Sequence, residues 1–371
     1  MKISSLELNN FRNYDKLLIN LDDDLTVLFG NNGQGKTNIV EAIYLCATGK
    51  SHRTSKESEL LKFGSNEFDV FLRFEKDNYQ REIDFKWNVE NKKQITVNEI
   101  PIAKMGELIG LLNVVMFAPE DMAIVKEGPA NRRRFIDIAY SQIKPQYFYY
   151  LQVYSRILKH RNVLLKQIST TKKKNDTLDI WNQNLVDIGS KIIYERIRFT
   201  KHISELVCKW HNFLSEDNET LKMAYKGSFK ALEENSLDEI KQMFLDKLEE
   251  NYRSELSAQL TITGPHRDDF VLALNENELR HFGSQGQQRT AVLALKLAEV
   301  DVMKNETGET PILLLDDVFS ELDQKRQKLL LHSIKGIQTV ITCTTKSVVR
   351  VNKSKSSFFE VKNGEICGII N

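Results

Sequence analysis

Hydrophobic and polar positions near the start of the chain predict two strands and a helix. Residues 3–8 alternate apolar and polar side chains, whereas residues 25–29 are almost continuously apolar. These patterns are typical of a half-buried strand and a fully buried strand. Helical apolar spacing follows at residues 38–45. Because a glycine-rich loop separates the second strand from this helix, the order is that of a phosphate-binding loop.

The next part of the chain divides into a strand-rich and a helix-rich stretch. Between residues 67 and 102 the runs FDVFLRF, REIDFKW and QITVNEI are separated by polar turns, which predicts an antiparallel sheet. From about residue 131 to residue 255 glycine and proline are scarce and apolar residues recur at helical spacing. This stretch is predicted to form a mostly helical lobe.

The last third of the chain returns to a mixed pattern. LTITGPHRDDFVLAL predicts strand, turn and strand, and GSQGQQRTAVLALKLAEVDVM predicts a loop that opens a long helix. PILLLDD and TVITCTT predict two short buried strands that flank a helix. We therefore predict a discontinuous ATPase lobe from residues 1–115 and 256–371, with a mostly helical lobe at 116–255.

The glycine-rich loop, GNNGQGKT at residues 30–37, matches the phosphate-loop pattern and is called the phosphate loop below. Its glycines let backbone N–H groups turn toward phosphate oxygens, and the following helix points its positive end at the same anion. We expect Lys36 to reach the β and γ phosphates and Thr37 to bind Mg²⁺. The predicted nucleotide-binding residues are Gly30, Asn31, Asn32, Gly33, Gln34, Gly35, Lys36, Thr37 and Asn38.

An apolar run at residues 311–315 ends in two carboxylates, Asp316 and Asp317. Two acids after an apolar run usually mark only the end of a strand. In a chain that also has a phosphate loop, the functional interpretation is favoured. Asp316 is then predicted to bind Mg²⁺, and Asp317 is predicted to orient or deprotonate the attacking water. Asp317 and Lys36 are the predicted catalytic residues.

A second glycine-containing loop, GSQGQQRT at residues 283–290, is called the signature loop below. It places small and amide residues directly before a long helix, which predicts a second anion-binding helix terminus. One γ-phosphate hardly needs two such loops from a single subunit. We therefore expect Ser284 and Gly286 to serve the nucleotide of another subunit, so that two subunits enclose two ATP molecules. The alternative is a plain helix cap with Ser284 as the cap residue.

Composition excludes several classes of protein. Hydrophobic residues make up 41% and charged residues 28% of the chain, the balance of a soluble globular protein. No apolar run approaches the roughly 20 residues that span a bilayer, so we predict a cytoplasmic protein without a membrane partner. The cysteines Cys46, Cys208, Cys343 and Cys367 are far apart, which argues against a zinc site or a disulfide framework.

Charge is distributed unevenly although the net charge is only +1. Residues 144–209 carry thirteen Lys or Arg against five Asp or Glu, an excess that suits contact with phosphate backbones. A solvated helix face is the alternative. Residues 132–134, three consecutive arginines, form a second basic candidate. The DNA-binding residues predicted from the larger cluster are Arg156, Lys159, Arg161, Lys166, Lys172, Lys173 and Lys174.

These motifs together resemble the ABC-type ATPase heads of the SMC class and, over essentially the whole chain, the bacterial RecF family. The resemblance rests on FRNYD (11–15), GKSHRT (49–54), FAPEDMAIVKEGPANRRRFID (117–137), GPHRDD (264–269) and the signature loop. The gap between Thr37 and Gly283 holds 245 residues, much of it strand or short helix, which excludes a long arm. The expected fold is α/β: an ABC-type P-loop ATPase head with a mixed or antiparallel sheet subdomain, a mostly helical second lobe and no long coiled coil.

The resemblance implies a function beyond what the residues themselves indicate. It implies ATP and Mg²⁺ as cofactors, slow DNA-stimulated hydrolysis that acts as a switch, and an ATP-dependent homodimer on double-stranded and gapped DNA. The implied task is recombinational repair, replication restart and the SOS response in the nucleoid, with RecR and RecO as partners. By the same mapping Asp317 takes the place of a catalytic glutamate, and Ser284 touches the γ-phosphate across the dimer.

Two departures from the broader ABC pattern predict slow hydrolysis. Thr344 and Thr345 stand where a switch histidine is expected, and Glu120 or Asp121 stands where the Q-loop glutamine is expected. Two other classes of protein share part of this pattern. A transporter ATPase subunit ordinarily carries the switch histidine, and a small-molecule P-loop kinase has no use for a signature loop.

Overall fold

The computed structural model describes residues 1–172, 177–215, 219–346 and 356–369. The chain forms two compact units, one from Met1–Asp121 with Lys296–Asn371 and the other from Met122–Leu295. The division predicted from the sequence, at residues 115 and 256, differs from this one because it assigns residues 256–295 to the ATPase lobe. As a statement about functional domains, the predicted division stays a prediction. None of the described helices is both long and apolar enough to cross a membrane.

The first unit contains an antiparallel sheet whose strands alternate buried and exposed residues. Its strands are β1 (Lys2–Phe11), β2 (Tyr14–Asn20), β4 (Glu67–Lys76), β5 (Tyr79–Asn88), β6 (Lys92–Val97) and β7 (Ile100–Pro101). They lie in the order β2-β1-β4-β5-β6-β7. The predicted antiparallel sheet is therefore present, extended by the hairpin at the start of the chain.

A second sheet of the same unit is mainly parallel and carries the phosphate loop. Its strands are β3 (Leu25–Phe29), β8 (Val114–Phe117), β12 (Ile312–Asp316), β13 (Thr339–Cys343), β14 (Ser356–Lys362) and β15 (Glu365–Ile369). They lie in the order β15-β14-β3-β13-β12-β8, and only β15 pairs antiparallel. The carboxyl ends of β3, β8, β12 and β13 thus meet at one edge, where ligands of open α/β sheets bind.

Helix α1 (Lys36–Thr48) lies within the core of the first unit. Its residues from Ile39 to Ala47 are buried without interruption. The apolar residues among them belong to one hydrophobic cluster with Phe68 of the antiparallel sheet and Leu314 of the parallel sheet. A helix that is buried all round is expected to be apolar all round, and Glu41 is the exception.

The second unit is mostly helical, as predicted. Its helices are α2 (Ala123–Lys126), α3 (Pro129–Ile143), α4 (Pro145–Thr171), α5 (Thr177–Ser215), α6 (Leu237–Ala258) and α7 (Leu279–Phe282). Helix α8 (Gln285–Thr307) begins in this unit, and α9 (Gln324–Ser333) belongs to the first. Helices α4, α5 and α6 share a core that includes Tyr147, Leu185 and Phe244.

A small sheet in the second unit corrects part of the sequence interpretation. It contains β9 (Leu221–Lys226), β10 (Asp269–Leu274) and β11 (Asn277–Glu278), in the order β11-β10-β9. Residues 260–264, predicted to be a strand, form irregular structure instead. Two of their backbone N–H groups bond to side chains and not to a neighbouring strand: Thr261 N donates to Asn162 Oδ1 at 2.8 Å and Gly264 N to Ser228 Oγ at 2.9 Å. Along its whole length β10 pairs with β9, a strand that the sequence analysis did not predict.

Candidate nucleotide site

The phosphate loop connects β3 to α1 with a backbone that only glycine adopts readily. Gly30, Gly33 and Gly35 have φ angles of 145°, 78° and 115°. A Cβ atom on Gly30 would lie 2.4 Å from the carbonyl oxygen of Val361, and one on Gly35 would lie 2.7 Å from Asn13 Nδ2. Backbone conformation therefore favours glycine at all three positions, and close packing requires it at Gly30 and Gly35.

Lys36 lies across the phosphate loop. Its Nζ donates to the carbonyl oxygens of Gly30 and Asn31 at 2.7 and 2.8 Å. Burial lowers the pKa of Lys36, and the nearby carboxylates of Asp317 and Asp316 oppose that shift. The structure thus brings together the ammonium and the two acids that the sequence analysis assigned to one site.

Asp316, at the end of β12, bonds to the first turn of α1. Thr37 Oγ1 donates to Asp316 Oδ1 at 2.9 Å, and Thr342 Oγ1 donates to the same oxygen at 2.6 Å. Burial raises the pKa of the Asp316 carboxyl, while these two hydroxyl donors lower it in part. The two residues predicted to bind Mg²⁺ are therefore adjacent, although 279 positions separate them in the sequence.

Asp317 has a strained backbone. Its φ of 51° places it in the left-handed region, where residues other than glycine are uncommon. The Asp317 N–H donates to Thr342 Oγ1 at 2.9 Å, and its carbonyl accepts from Ser320 Oγ at 2.7 Å. Backbone conformations of this kind cluster at active sites and ligand-binding positions.

Glu120 and Asp121, the two candidate Q-loop residues, lie after β8 and have different surroundings. Asp121 Oδ2 accepts from Ala118 N at 2.9 Å, and its Oδ1 lies 3.3 Å from Lys296 Nζ. Asp121 is thus part of a buried ion-pair cluster with Lys296 and Glu299, where burial raises the pKa of Glu299 to about 7. Glu120 is exposed, and its charge contributes to the raised pKa of Asp316. Of the two, Glu120 is the one that acts electrostatically on the predicted metal ligand.

The signature loop, in the second unit, caps helix α8. Gln287 N donates to Ser284 Oγ at 3.2 Å, and Ser284 N donates to Gln287 Oε1 at 2.7 Å. This reciprocal pair is a capping box. Ser284 and Gly286 remain exposed to solvent. The helix cap that was predicted as the alternative is therefore present. This cap is compatible with a contact between Ser284 and a second subunit, because Ser284 stays exposed.

Comparison with known proteins decides the family. Residues 2–366 match the family described as RecF/RecN/SMC N terminal domain. A DNA replication and repair protein RecF from Ruminiclostridium cellulolyticum is 46% identical over 368 residues, which cover 99% of both chains. The chain belongs to the RecF family. The RecF of Alkaliphilus oremlandii is 44% identical over 99% of this chain and all of its own.

Solved structures agree with this family. A structure described as the recombination mediator protein RecF bound to ATP in the RecFOR pathway matches with a TM-score of 0.93 at 36% identity, covering 100% of this chain and 98% of that one. An Smc head bound to the C-winged helix domain of ScpA matches with a TM-score of 0.57 at 17% identity, which shows a shared fold alone. The predicted RecF resemblance and ABC-type ATPase head fold are both confirmed.

The predicted DNA-binding set is wrong at one position. Arg161 is fully buried, and it donates to Glu255 Oε2 at 2.6 Å and to Thr261 Oγ1 at 2.7 Å. Its guanidinium therefore cannot reach a phosphate. Arg156, Lys159, Lys166 and Lys172 are exposed, whereas Lys173 and Lys174 lie outside the described residues.

The three consecutive arginines, residues 132–134, are not a basic surface. Arg132 donates through Nε and Nη2 to Asp269 at 2.7 and 2.9 Å, and Arg133 donates to the Asp268 carbonyl at 2.6 Å. Both therefore hold the GPHRDD segment in place. Only Arg134 among the three is exposed.

The GPHRDD segment is a buried turn of the second unit rather than part of the ATPase sheet. His266 contacts Tyr154 OH at 2.8 Å through Nδ1 and the Thr261 carbonyl at 3.0 Å through Nε2. Burial lowers the pKa of His266 to about 4, so the ring is neutral. The ring therefore donates through Nε2 and accepts from the tyrosine hydroxyl through Nδ1. This segment has a structural role.

One network beside the phosphate loop was missed by the sequence analysis. Glu41, buried inside α1, accepts from Arg12 Nε and Nη2 at 2.8 and 2.6 Å and from Ser51 Oγ at 2.5 Å. Burial alone would raise the pKa of Glu41, but the bonds from Arg12 and Ser51 outweigh it, and the net shift is downward. A single acid within an otherwise apolar helix was the available signal. The network gives the FRNYD and GKSHRT motifs a structural role, because Arg12 of the first and Ser51 of the second both donate hydrogen bonds to Glu41 of α1.

Proposed function

We propose that the chain is an ATP-dependent switch of recombinational DNA repair and replication restart. Its curated relatives are DNA replication and repair proteins, and a solved relative holds ATP in the RecFOR pathway. The observation that carries the proposal is the Thr37–Asp316 bond, which joins the phosphate loop to the acidic end of β12. These are the two elements that bind nucleotide and metal in P-loop ATPases.

In this proposal the phosphate loop binds the phosphates of ATP. Backbone N–H groups of residues 30–37 point at the phosphate oxygens, and Lys36 moves from the loop carbonyls to the β and γ phosphates. The Thr37 hydroxyl and the Asp316 carboxylate would hold Mg²⁺, since both are oxygen donors of the kind that this ion prefers. When bound, the ion would neutralise charge on the phosphate oxygens.

Hydrolysis is proposed to depend on Asp317. Its backbone is fixed by Thr342 and Ser320, so its carboxylate has a defined direction from which to orient or deprotonate the attacking water. Glu120 adds negative charge beside Asp316. Because Thr344 and Thr345 stand after β13, where a histidine is expected, we propose slow turnover. Membership of the RecF family is the reason to propose that DNA stimulates it.

Dimerisation is proposed to follow ATP binding. The exposed hydroxyl of Ser284 and the backbone at Gly286 would contact the γ-phosphate held by the other subunit. Each subunit would then contribute one phosphate loop and one signature loop to the pair of sites. ATP would close the dimer on double-stranded DNA at single-strand gaps, and RecR and RecO would act there to load the strand-exchange recombinase.

The proposed DNA contact is a basic stripe on α4, formed by Arg156, Lys159 and Lys166. At 3.6 residues per turn these side chains fall within about 80° of one another around the helix. All three are exposed, and no ion pair to them occurs among the described residues. Unpaired cations on one helix face are suited to bind phosphate backbones without reading the bases.

The decisive experiment is fluorescence anisotropy of a gapped duplex with and without Mg-ATP over a range of salt concentrations. Binding that requires Mg-ATP and weakens steeply with salt would support the proposal. A variant with Arg156, Lys159 and Lys166 changed to Gln should reduce the salt slope by about 3 per protomer. Changing the exposed lysines Lys222, Lys226 and Lys230 to Gln is the charge-matched control. No binding under any nucleotide condition would overturn the proposal.

A further inference from the structure

Gln34 of the phosphate loop is held from two sides. Its carbonyl oxygen accepts from Asn13 Nδ2 at 3.0 Å and from the Gly364 N–H at 3.0 Å. Its side-chain Oε1 accepts from the Asn363 N–H at 2.7 Å. The residue directly before Gly35 and Lys36 is therefore fixed through both its backbone and its side chain.

The first side is the turn between β1 and β2. Asn13 uses both ends of its amide, since Nδ2 donates to Gln34 and Oδ1 accepts from Asn38 Nδ2 at 2.7 Å. The adjacent Tyr14 donates its hydroxyl to the Gly35 carbonyl at 3.1 Å. One side chain thus connects the loop before α1 to the first turn of α1.

The second side is the turn between β14 and β15. Asn363 and Gly364 have φ angles of 50° and 77° and lie between the paired residues Lys362 and Glu365. Positive φ at both central residues of a two-residue hairpin is the type I′ turn that Asn-Gly favours. This conformation aims two successive N–H groups at Gln34.

The two turns also contact each other. A Cβ atom on Gly364 would lie 2.7 Å from the Asn13 carbonyl oxygen. Val361 lies on β14, the strand that leads into the second turn. Its carbonyl oxygen is so close to Gly30 that a Cβ atom on Gly30 would lie 2.4 Å from it. The C-terminal hairpin therefore packs against the beginning and the end of the phosphate loop.

We infer that Asn13 and the Asn363–Gly364 turn form a clasp that holds the phosphate loop in its ligand-binding shape. Asn13 and Gly364 are thus positioning residues for nucleotide binding. This inference rests on the proposed ATP function. A loop that is already ordered loses less conformational freedom when phosphate binds, so the affinity is higher. A loop released from the clasp must be ordered by the ligand itself.

The test compares Asn13→Ala and Gly364→Ala with Gly336→Ala as the matched control. Gly336 has a φ of 78°, and no atom lies within 4 Å of a Cβ placed there, so this control carries the same backbone strain without touching the loop. We expect the two clasp variants to bind Mg-ATP and Mg-ADP about tenfold more weakly by calorimetry. The KM for ATP should rise while kcat stays within about twofold, because the acids at the end of β12 are unchanged.

Hydrogen exchange in the ligand-free protein gives a readout that does not depend on ATP. Amides of residues 31–36 should exchange at least about tenfold faster in both clasp variants, while melting temperatures stay near that of the control. Unchanged exchange and unchanged affinity in Asn13→Ala would overturn the clasp, and this variant decides the question if Gly364→Ala does not fold. Failure of the native protein to bind ATP would instead overturn the proposed function, with exchange still testing the clasp.

Discussion

The phosphate loop and the signature loop have similar compositions and each opens a long helix, yet their backbones differ. Three glycines of the phosphate loop have positive φ, and no side chain caps α1. In the signature loop Gly283 has a φ of −76°, Gly286 lies inside α8, and Ser284 caps that helix. The first loop therefore leaves its helix terminus open to an anion, whereas the second satisfies part of its terminus internally and presents a hydroxyl.

The largest expected effect separates the two loops by function. Lys36→Met removes the ammonium from the phosphate loop and should weaken ATP binding at least 100-fold, or about 3 kcal/mol, in calorimetry. Ser284→Arg should leave ATP affinity of the monomer within about twofold but abolish ATP-dependent dimerisation in light scattering. A Ser284→Arg protein that still dimerises with ATP would contradict the exchange of signature loops between subunits.

Glycine substitutions should affect the two loops with opposite sign. Gly35→Ala places a Cβ at positive φ and 2.7 Å from Asn13 Nδ2, so we expect a loss of about 2–3 kcal/mol in the free energy of unfolding. Gly286→Ala meets no atom closer than Ser284 Oγ at 4.0 Å and should gain a few tenths of a kcal/mol from helix propensity. Urea denaturation measures the free energy of unfolding of both variants. If Gly35→Ala and Gly286→Ala destabilise the protein equally, the proposed difference between the two loop backbones is wrong.

Acid should act differently on the surroundings of the two loops. In the unit of the signature loop, burial lowers the pKa of His266 from 6.5 to about 4, so the unfolded chain takes up a proton first as pH falls. Between pH 7 and pH 5 this should remove about 2 kcal/mol from the free energy of unfolding. The raised pKa of Asp316, beside the phosphate loop, contributes in the opposite sense, since its protonated form is favoured in the fold. Urea denaturation at both pH values, with His266→Gln as the variant that lacks the titration, checks the sign.

A smaller loss of stability is expected for the cap that only the signature loop has. Gln287→Ala removes the reciprocal bond to Ser284 N and the bond from Gln287 Nε2 to Glu219, and should cost about 1 kcal/mol by thermal unfolding. Gln285→Ala, at an exposed neighbouring position, is the control and should change little. If both variants unfold alike, the capping box does not stabilise the loop.

Features set by neighbouring residues could be predicted from the sequence, and those set by packing could not. Strand, phosphate loop and helix follow one another within residues 25–48, so their pattern is local. The pairing of β9 with β10 joins segments more than forty residues apart, and the bonds to residues 260–264 come from distant side chains.

Arg161 is an intermediate case, because a signal for its burial was present in the sequence. Tyr154, Ile157, Leu165 and Ile168 are buried on α4, and Arg161 falls in phase with them at spacings of three and four. Grouping the basic residues by charge placed it on the wrong face. Its hydrogen-bond partner Glu255, on α6, could not be identified from helical phase alone.

The strand order of the parallel sheet has a consequence for the synthesis of the protein. Strand β3, which leads into the phosphate loop, pairs with β13 and β14, so both of its neighbours lie within residues 339–362, far from it along the chain. At roughly 5–20 residues per second, the ribosome needs on the order of tens of seconds after making β3 to supply them. The antiparallel sheet of residues 2–101 can fold meanwhile, but β3 acquires its neighbours only after residues 339–362 have been made.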